Sequence, residues 1–235
     1  MVQHGCDVAA AMRAMGLGPS VIVGHSMGGF VAAALAAQEP ELVSGVVFID
    51  GGYAPAIAAG GGTQQGLDAA LSLRISQLRQ THPSREAYKR FWRGQPHFPA
   101  EDWGPWLEAF LDYEVGGEAP EVKPKALAEG VTIDLMEGLQ REAMIARLRT
   151  IGVPVLMIRA PAGFVPGSPP LYSDAMIEQM RTCVHAMDEE LIEGTTHYTI
   201  LMGNRGASRV ADLVADFAEQ CVPFQKAASY DAGRQ

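Results

Sequence analysis

The segment Gly24-His25-Ser26-Met27-Gly28 fits the pattern G-x-S-x-G, in which a serine hydroxyl acts as a nucleophile. The apolar run Val21-Ile22-Val23 precedes it, and an alanine-rich helical pattern at about 30–38 follows it. A sharp turn from a strand into a helix holds the serine in a strained conformation and exposes its hydroxyl. We therefore predict that Ser26 is a nucleophile. Gly24 and Gly28 are predicted to be required, because side chains there would clash with neighbouring backbone.

The predicted helix after Ser26 also bears on the chemistry. Its N-terminal dipole favours negative charge that develops at the serine. The N–H of Met27 is then predicted to donate to the oxyanion of a tetrahedral intermediate. The alternative is a glycine-rich turn in which Ser26 has no chemical role.

The elements that position these residues predict an α/β fold. Buried strands of a parallel sheet, about four in number, are predicted from apolar runs at about 21–23, 46–49, 155–158 and 190–192. The first helix is predicted at 8–15, with Asp7 as its N-cap. The segment 53–150 is predicted to be a helical insertion, with a Gly/Ala loop at 54–62 and helical patterns at about 67–80, 85–93, 106–113 and 139–148.

The segment Gly24-His25-Ser26-Met27-Gly28-Gly29 and its setting resemble the nucleophile elbow of the α/β-hydrolase superfamily. The resemblance covers roughly residues 7–217 and includes a helical cap and a terminal histidine loop. It implies a partial α/β-hydrolase fold. Its predicted divisions are a core at 1–52 and 151–222, a cap at 53–150 and a frayed tail at 223–235.

The resemblance also suggests the partners of Ser26. Members of the superfamily place the catalytic base after the last strand, which corresponds to His197 in the loop Gly194-Thr195-Thr196-His197. Many place the acid after the strand at 155–158, but the loop at 159–164 contains no carboxylate. We favour Asp50, because a strand end fixes a carboxylate better than a long loop does. Asp174 is the alternative acid, with helix N-capping as its other explanation.

Serine at position 26, rather than the aspartate that some members use, indicates acyl transfer to water through an acyl-enzyme. The predicted substrate is a small or medium apolar ester, thioester or lactone. His25 is predicted to pack beside or shape its pocket, and Trp92, Trp103 and Trp106 to form an apolar lid. For any one of these tryptophans taken alone, packing of the cap against the core is the favoured explanation. A carbon–carbon bond hydrolase and a catalytically impaired, hydrolase-like binding protein remain alternatives.

The composition of the chain disfavours several classes of binding partner. The 235 residues carry 18 Lys and Arg against 27 Asp and Glu, a formal charge of −9 that disfavours nucleic-acid binding. No apolar run reaches the ~18–20 residues that span a bilayer, so no membrane partner is expected. The three separated cysteines show neither metal-ligand nor disulfide spacing, which predicts free thiols and a cytoplasmic location. No motif for a metal or cofactor is present.

The resemblance further implies missing parts. A complete α/β-hydrolase sheet has eight strands and its nucleophile follows the fifth, whereas only one helix fits before Val21. By that comparison, four strands and the loop that supplies a second oxyanion N–H are absent, and we expect a truncated chain, or a fragment without a stable fold. The strand at 21–23 would then lie at an open edge that favours self-association.

Overall fold

A four-stranded parallel sheet forms the centre of the protein. The computed structural model describes residues 1–53, 72–138 and 140–221. The strands follow the spatial order β1-β2-β5-β6 and span β1 Ser20–His25, β2 Val43–Ile49, β5 Val155–Arg159 and β6 Met187–Leu191. All three pairings are parallel, so the carboxyl ends of the four strands share one edge of the sheet. The predicted α/β class and the four strands are confirmed.

Helices flank the sheet and make up much of the described part of the segment between β2 and β5. Those with assigned bounds are α1 Val2–Ala14, α2 Met27–Gln38, α3 Arg85–Arg93, α4 Pro105–Glu114, α5 Ala128–Gly138, α6 Arg141–Thr150, α7 Asp174–Arg181, α8 Thr199–Met202 and α9 Asn204–Cys221. A further helical stretch occupies 72–78. Within the described ranges, no helix combines the length and apolarity needed to span a membrane.

Alternate residues of the central strands enter two separate cores. Val46 and Phe48 of β2 face one layer, in which buried residues of α1, α2, α6 and α7 pack. Val47 and Ile49 face the other layer, against Val210 and Phe217 of α9. Because neighbouring side chains of a strand point to opposite faces, a continuous apolar run such as 46–49 requires cover on both sides.

The segment between β2 and β5 has its own apolar cluster. Trp92, Phe98, Leu107 and Leu111 are buried in it, and Tyr198 and Met202 pack against it from beyond β6. A short antiparallel pair, β3 Val115–Gly116 with β4 Lys123–Pro124, crosses this segment. The sequence pattern predicted neither that pair nor α5. Two-residue strands carry too few side chains to show a period.

One local prediction was wrong, and two others fall on residues that the structure does not describe. Helix α1 begins at Val2 with Met1 as its N-cap, so Asp7 lies inside the helix and the predicted cap was wrong. An N-cap must precede the first helical residue, and here a full turn precedes Asp7. The Gly/Ala loop at 54–62 and the tail at 223–235 lie outside the described residues.

Strand β1 lies at one end of the order of strands. Its partner is β2, and its other edge pairs with no strand in the described parts of the chain. Val23 in its middle is 44% exposed. Self-association through this edge stays a prediction.

Candidate active site

Ser26 directly follows β1 and caps α2. Its φ of 52° and ψ of −120° lie in a region that favours glycine. Its N–H donates to the Ile49 carbonyl at 3.0 Å, which continues the β1–β2 hydrogen-bond ladder one residue past the strand. This bond holds the serine backbone in the turn, and the half-buried side chain stands at the carboxyl edge of the sheet.

Three glycines make room for this turn. A Cβ added at Gly24 would lie 2.2 Å from the Gly28 carbonyl oxygen, and one at Gly51 would lie 2.2 Å from the Ser26 carbonyl oxygen. A Cβ at Gly29 would lie 2.5 Å from the Gly52 nitrogen. The prediction for Gly24 therefore agrees with the structure. The prediction for Gly28 was wrong, because a Cβ there meets no atom within 4 Å among the described residues.

Three side chains from distant parts of the sequence meet at the carboxyl edge. The Ser26 Oγ lies 2.9 Å from His197 Nε2, and His197 Nδ1 lies 2.7 Å from Asp50 Oδ2. His197 is 3% exposed and Asp50 1% exposed. Because an ionised carboxylate only accepts hydrogen bonds, Nδ1 donates to Asp50, which leaves Nε2 free to accept from the serine hydroxyl.

Asp50 directly follows β2, as Ser26 follows β1. Its N–H donates to the Ile158 carbonyl at 2.7 Å, and its Oδ1 accepts from the N–H of Ala160 at 3.2 Å. Its φ of 42° is a further positive value at the site. The carboxylate is thus held on both oxygens, by a backbone N–H and by the imidazole.

The structure places Asp174 elsewhere. It is the first residue of α7, its side chain is 89% exposed, and it pairs with Arg159 at 2.5 Å. Asp50, and not Asp174, is the carboxylate that the fold brings to His197. A strand end lies at the edge of the sheet where the site forms, whereas the loop to Asp174 leads away to a helix start.

The loop that carries His197 is fixed by backbone and threonine hydrogen bonds. The N–H of His197 donates to the Gly163 carbonyl at 2.9 Å, next to an isolated parallel bridge between Ala162 and Thr196. The N–H of Thr196 donates to the Thr199 Oγ1 at 2.9 Å. The loop after β5 that lacks a carboxylate therefore supports the histidine, a role that no side-chain pattern revealed.

His25 packs directly on His197. Its Nε2 lies 2.8 Å from the His197 carbonyl oxygen, and the two ring centroids are 4.7 Å apart. Burial, and then the nearby His197, lower the pKa of His25 to about 4. The structure thus places His25 beside the histidine loop, while its predicted role in binding substrate stays untested.

The three tryptophans of the predicted lid occupy different environments. Trp92 is buried in the apolar cluster of the insertion, and Trp103 donates from Nε1 to Glu108 at 2.9 Å while packing on the same cluster. Trp106 is 79% exposed. Trp106 therefore does not pack with the other two tryptophans of the predicted lid, because the Trp106 side chain on α4 points to solvent.

A cavity of about 40 Å³ lies between the insertion and the histidine loop. Apolar side chains of Trp92, Phe98 and Tyr198 contribute to its wall, together with the charged pair Arg74 and Glu114. The Tyr198 ring packs on His197 with centroids 5.5 Å apart. The cavity is thus one aromatic ring away from the imidazole.

The arrangement has the elements of acid–base-assisted nucleophilic attack. Met27 is the first residue of α2, and the first N–H groups of a helix lack an intrahelical acceptor. Within the described residues, no group of three or more His, Cys, Asp or Glu side chains is suited to hold a metal ion.

Known proteins resemble this chain in sequence. A family model described as "Alpha/beta hydrolase family" matches residues 3–213. The 2-(acetamidomethylene)succinate hydrolase of Mesorhizobium japonicum is 29% identical over 154 residues. That match covers 65% of this chain and half the length of the relative.

Solved structures share the fold. A crystal structure of E-2-(acetamidomethylene)succinate hydrolase superposes with a TM-score of 0.70 at 21% identity, over 92% of this chain and 72% of that one. A thermophilic esterase from Thermogutta terrifontis gives a TM-score of 0.55 at 17% identity, over 92% and 71%. At such identities the likeness concerns architecture alone.

Proposed function

The chain belongs to the alpha/beta hydrolase family, and we propose that it is a serine hydrolase that cleaves a small or medium apolar ester, thioester or lactone through an acyl-enzyme. The observation that carries the proposal is the 2.9 Å contact between Ser26 Oγ and His197 Nε2. A serine hydroxyl is a weak nucleophile at neutral pH, and an imidazole at this distance activates it.

In the proposed acylation, His197 Nε2 takes the Ser26 hydroxyl proton as Oγ attacks the carbonyl carbon of the substrate. The tetrahedral intermediate collapses, the bond to the leaving group breaks, and the imidazolium returns the proton to that group. In deacylation, His197 removes a proton from water as the water oxygen attacks the acyl carbon. When the second tetrahedral intermediate collapses, the bond from the acyl carbon to Ser26 Oγ breaks, the imidazolium returns the proton to Oγ, and the acid leaves.

Asp50 and Met27 are proposed to support these steps without covalent change. The Asp50 carboxylate holds the imidazole in the tautomer whose Nε2 accepts a proton, and it stabilises the imidazolium. The N–H of Met27, at the start of α2, is proposed to donate to the oxyanion.

The first test compares wild type with Ser26→Ala on p-nitrophenyl butyrate. The variant is expected to lose roughly 10⁶-fold in kcat, as loss of such a nucleophile does. Ser20→Ala is the matched control, because Ser20 begins the same strand and its hydroxyl donates to the Gly18 carbonyl. Equal rates for wild type and Ser26→Ala would overturn the proposal.

Labelling separates the proposal from its non-enzymatic alternative, a hydrolase-like binding protein. A fluorophosphonate is expected to modify wild type and Ser20→Ala at Ser26, and to leave Ser26→Ala unmodified. Thermal stabilisation by an ester substrate without turnover or labelling would favour the binding protein instead.

A carboxylate on the acyl group is a second substrate candidate, which the name of the relative with 29% identity suggests, since that relative is a hydrolase of a substituted succinate. The Arg74 guanidinium, which lines the cavity beside Tyr198 and pairs with Glu114 at 3.2 Å, is the cation to test for this role. Arg74→Gln is expected to lower kcat/KM for a p-nitrophenyl hemisuccinate about tenfold relative to the butyrate ester. Arg79→Gln, an exposed arginine paired with Glu129, is the control. An unchanged ratio in Arg74→Gln would remove the carboxylate candidate.

A carbon–carbon bond hydrolase remains the alternative reaction on the same residues. Turnover of a β-diketone by wild type, combined with no turnover of either ester, would favour it over the proposed ester hydrolase.

A further inference from the structure

The two histidines at the site make a contact that the proposed catalytic steps leave unused. His25 Nε2 lies 2.8 Å from the main-chain oxygen of His197, although the residues are 172 positions apart. Their rings are tilted by 31° with centroids 4.7 Å apart. His25 ends β1 immediately before Ser26, so one short turn carries the nucleophile and a contact to its base.

The proton of His25 can be assigned from its partner. A carbonyl oxygen only accepts, so Nε2 of His25 must carry the hydrogen. Burial and the charge that forms on His197 both disfavour protonation, the hydrogen bond to the His197 carbonyl and then the nearby Asp50 partly offset them, and the pKa of His25 falls to about 4. At neutral pH, His25 is thus a neutral donor whose Nε2 is occupied and does not serve as a second base for Ser26.

The backbone of His197 is held from both sides. Its N–H donates to the Gly163 carbonyl at 2.9 Å, and its carbonyl accepts from His25. These bonds fix where the Cα–Cβ bond of His197 leaves the backbone. The ring of His25 limits the other freedom, because it packs against the imidazole that must face Ser26 and Asp50.

We infer that His25 is a positioning residue, whose Nε2–H anchors the His197 main chain and whose ring keeps the His197 imidazole within reach of Ser26. The inference rests on the proposed roles of Ser26 and His197. It goes beyond the sequence-based expectation, in which His25 packs beside the substrate pocket or shapes it. When a catalytic group is displaced by about 1 Å, the rate of the catalysed reaction falls on the order of 10²-fold.

Two variants of equal side-chain length separate the effect of the hydrogen-bond donor at position 25 from the effect of the side chain's volume. His25→Gln keeps an N–H donor close to the position of Nε2, and His25→Met removes the donor while filling similar space. We expect His25→Met to lower kcat for p-nitrophenyl butyrate about 10²-fold with KM within about threefold. His25→Gln is expected to stay within about fivefold of wild type, and both variants are expected to show similar thermal stability.

A readout without turnover keeps this test separate from the proposed function. Nitrogen-15 NMR of the imidazoles is expected to show His25 as the neutral Nε2–H tautomer near pH 7. Amide hydrogen exchange at residues 194–199 is expected to be faster in His25→Met than in wild type, and close to wild type in His25→Gln.

The outcomes distinguish the two claims. If wild type neither turns over esters nor reacts with a fluorophosphonate, yet the NMR and exchange results hold, the proposed function fails and the anchoring role of His25 stands. If wild type is active and His25→Met matches it in kcat, the inference about His25 is overturned. Equal losses in His25→Met and His25→Gln, or an Nδ1–H tautomer of His25, would overturn it as well.

Discussion

Asp50 Oδ2 lies 2.7 Å from His197 Nδ1 across 147 positions of sequence. The two residues meet because β2 and β6 run parallel, so the loops after both strands begin at one edge of the sheet. Both groups are almost completely buried, and the second carboxylate oxygen of Asp50 is bonded to the Ala160 N–H. The pair therefore leaves the imidazole with one orientation and one tautomer.

Replacing the buried acid tests this relationship. Asp50→Asn is expected to lower kcat on p-nitrophenyl butyrate by about 10⁴-fold, because the amide stabilises the wrong tautomer of His197. Asp174→Asn is the matched control, since its exposed carboxylate pairs with Arg159 away from the site. Its kcat is expected to stay within about twofold of wild type. A larger loss in Asp174→Asn than in Asp50→Asn would reverse the assignment of the acid.

Adjacent glycines of α2 provide a second contrast. Gly29→Ala is expected to destabilise the protein by about 1–3 kcal/mol, because its Cβ would lie 2.5 Å from the Gly52 nitrogen. Gly28→Ala meets no such contact and is expected to stabilise the helix by about 0.5–1 kcal/mol. Urea unfolding of both variants measures the difference. Equal unfolding free energies in the two variants would contradict the close approach of α2 to the turn at Gly51-Gly52.

The neutral state of His25 predicts a pH dependence of stability. Its pKa falls from 6.5 to about 4 on folding, so the unfolded chain binds the proton first as the pH is lowered. The free energy of unfolding is therefore highest above about pH 6.5 and falls toward pH 4, by about 3 kcal/mol from this residue. Burial lowers the pKa values of His82 and His97 too, but those residues are unchanged in a variant.

Urea unfolding at pH 7 and pH 4 measures this contribution. His25→Gln has no titrating group at position 25. Between pH 7 and pH 4, wild type is therefore expected to lose about 3 kcal/mol more of its free energy of unfolding than His25→Gln does. Parallel losses in the two proteins would show that the folded state does not depress the pKa of His25.

Two tryptophans of the insertion should respond differently to truncation. Trp92→Ala removes a side chain that is 3% exposed and is expected to cost about 3–5 kcal/mol in stability. Trp106→Ala removes a side chain that is 79% exposed, and its effect is expected to stay within about 0.5 kcal/mol. Thermal unfolding distinguishes them, and a large loss in Trp106→Ala would show that another surface covers this residue.

Apolar runs and one motif were enough to predict the strands and to identify Ser26 as the candidate nucleophile. Apolar runs such as 46–49 can be recognised as strands because burial on both faces of a sheet requires an unbroken stretch of apolar side chains. The Ser26 segment can be recognised in the sequence because a strand-to-helix turn requires small residues at fixed positions. Gly24 is such a position, since the structure leaves no room for a Cβ there.

The three-dimensional arrangement of the strand ends was needed to establish which carboxylate reaches His197 and which groups hold the histidine in place. Asp50 and Asp174 both follow apolar strands, and the position of Asp50 at a strand end favoured it without excluding Asp174. The choice depends on which strand ends lie side by side at the site, a property of strand order. The support of His197 by Gly163 and His25 uses backbone oxygens, which every residue carries, so side-chain types alone cannot reveal it.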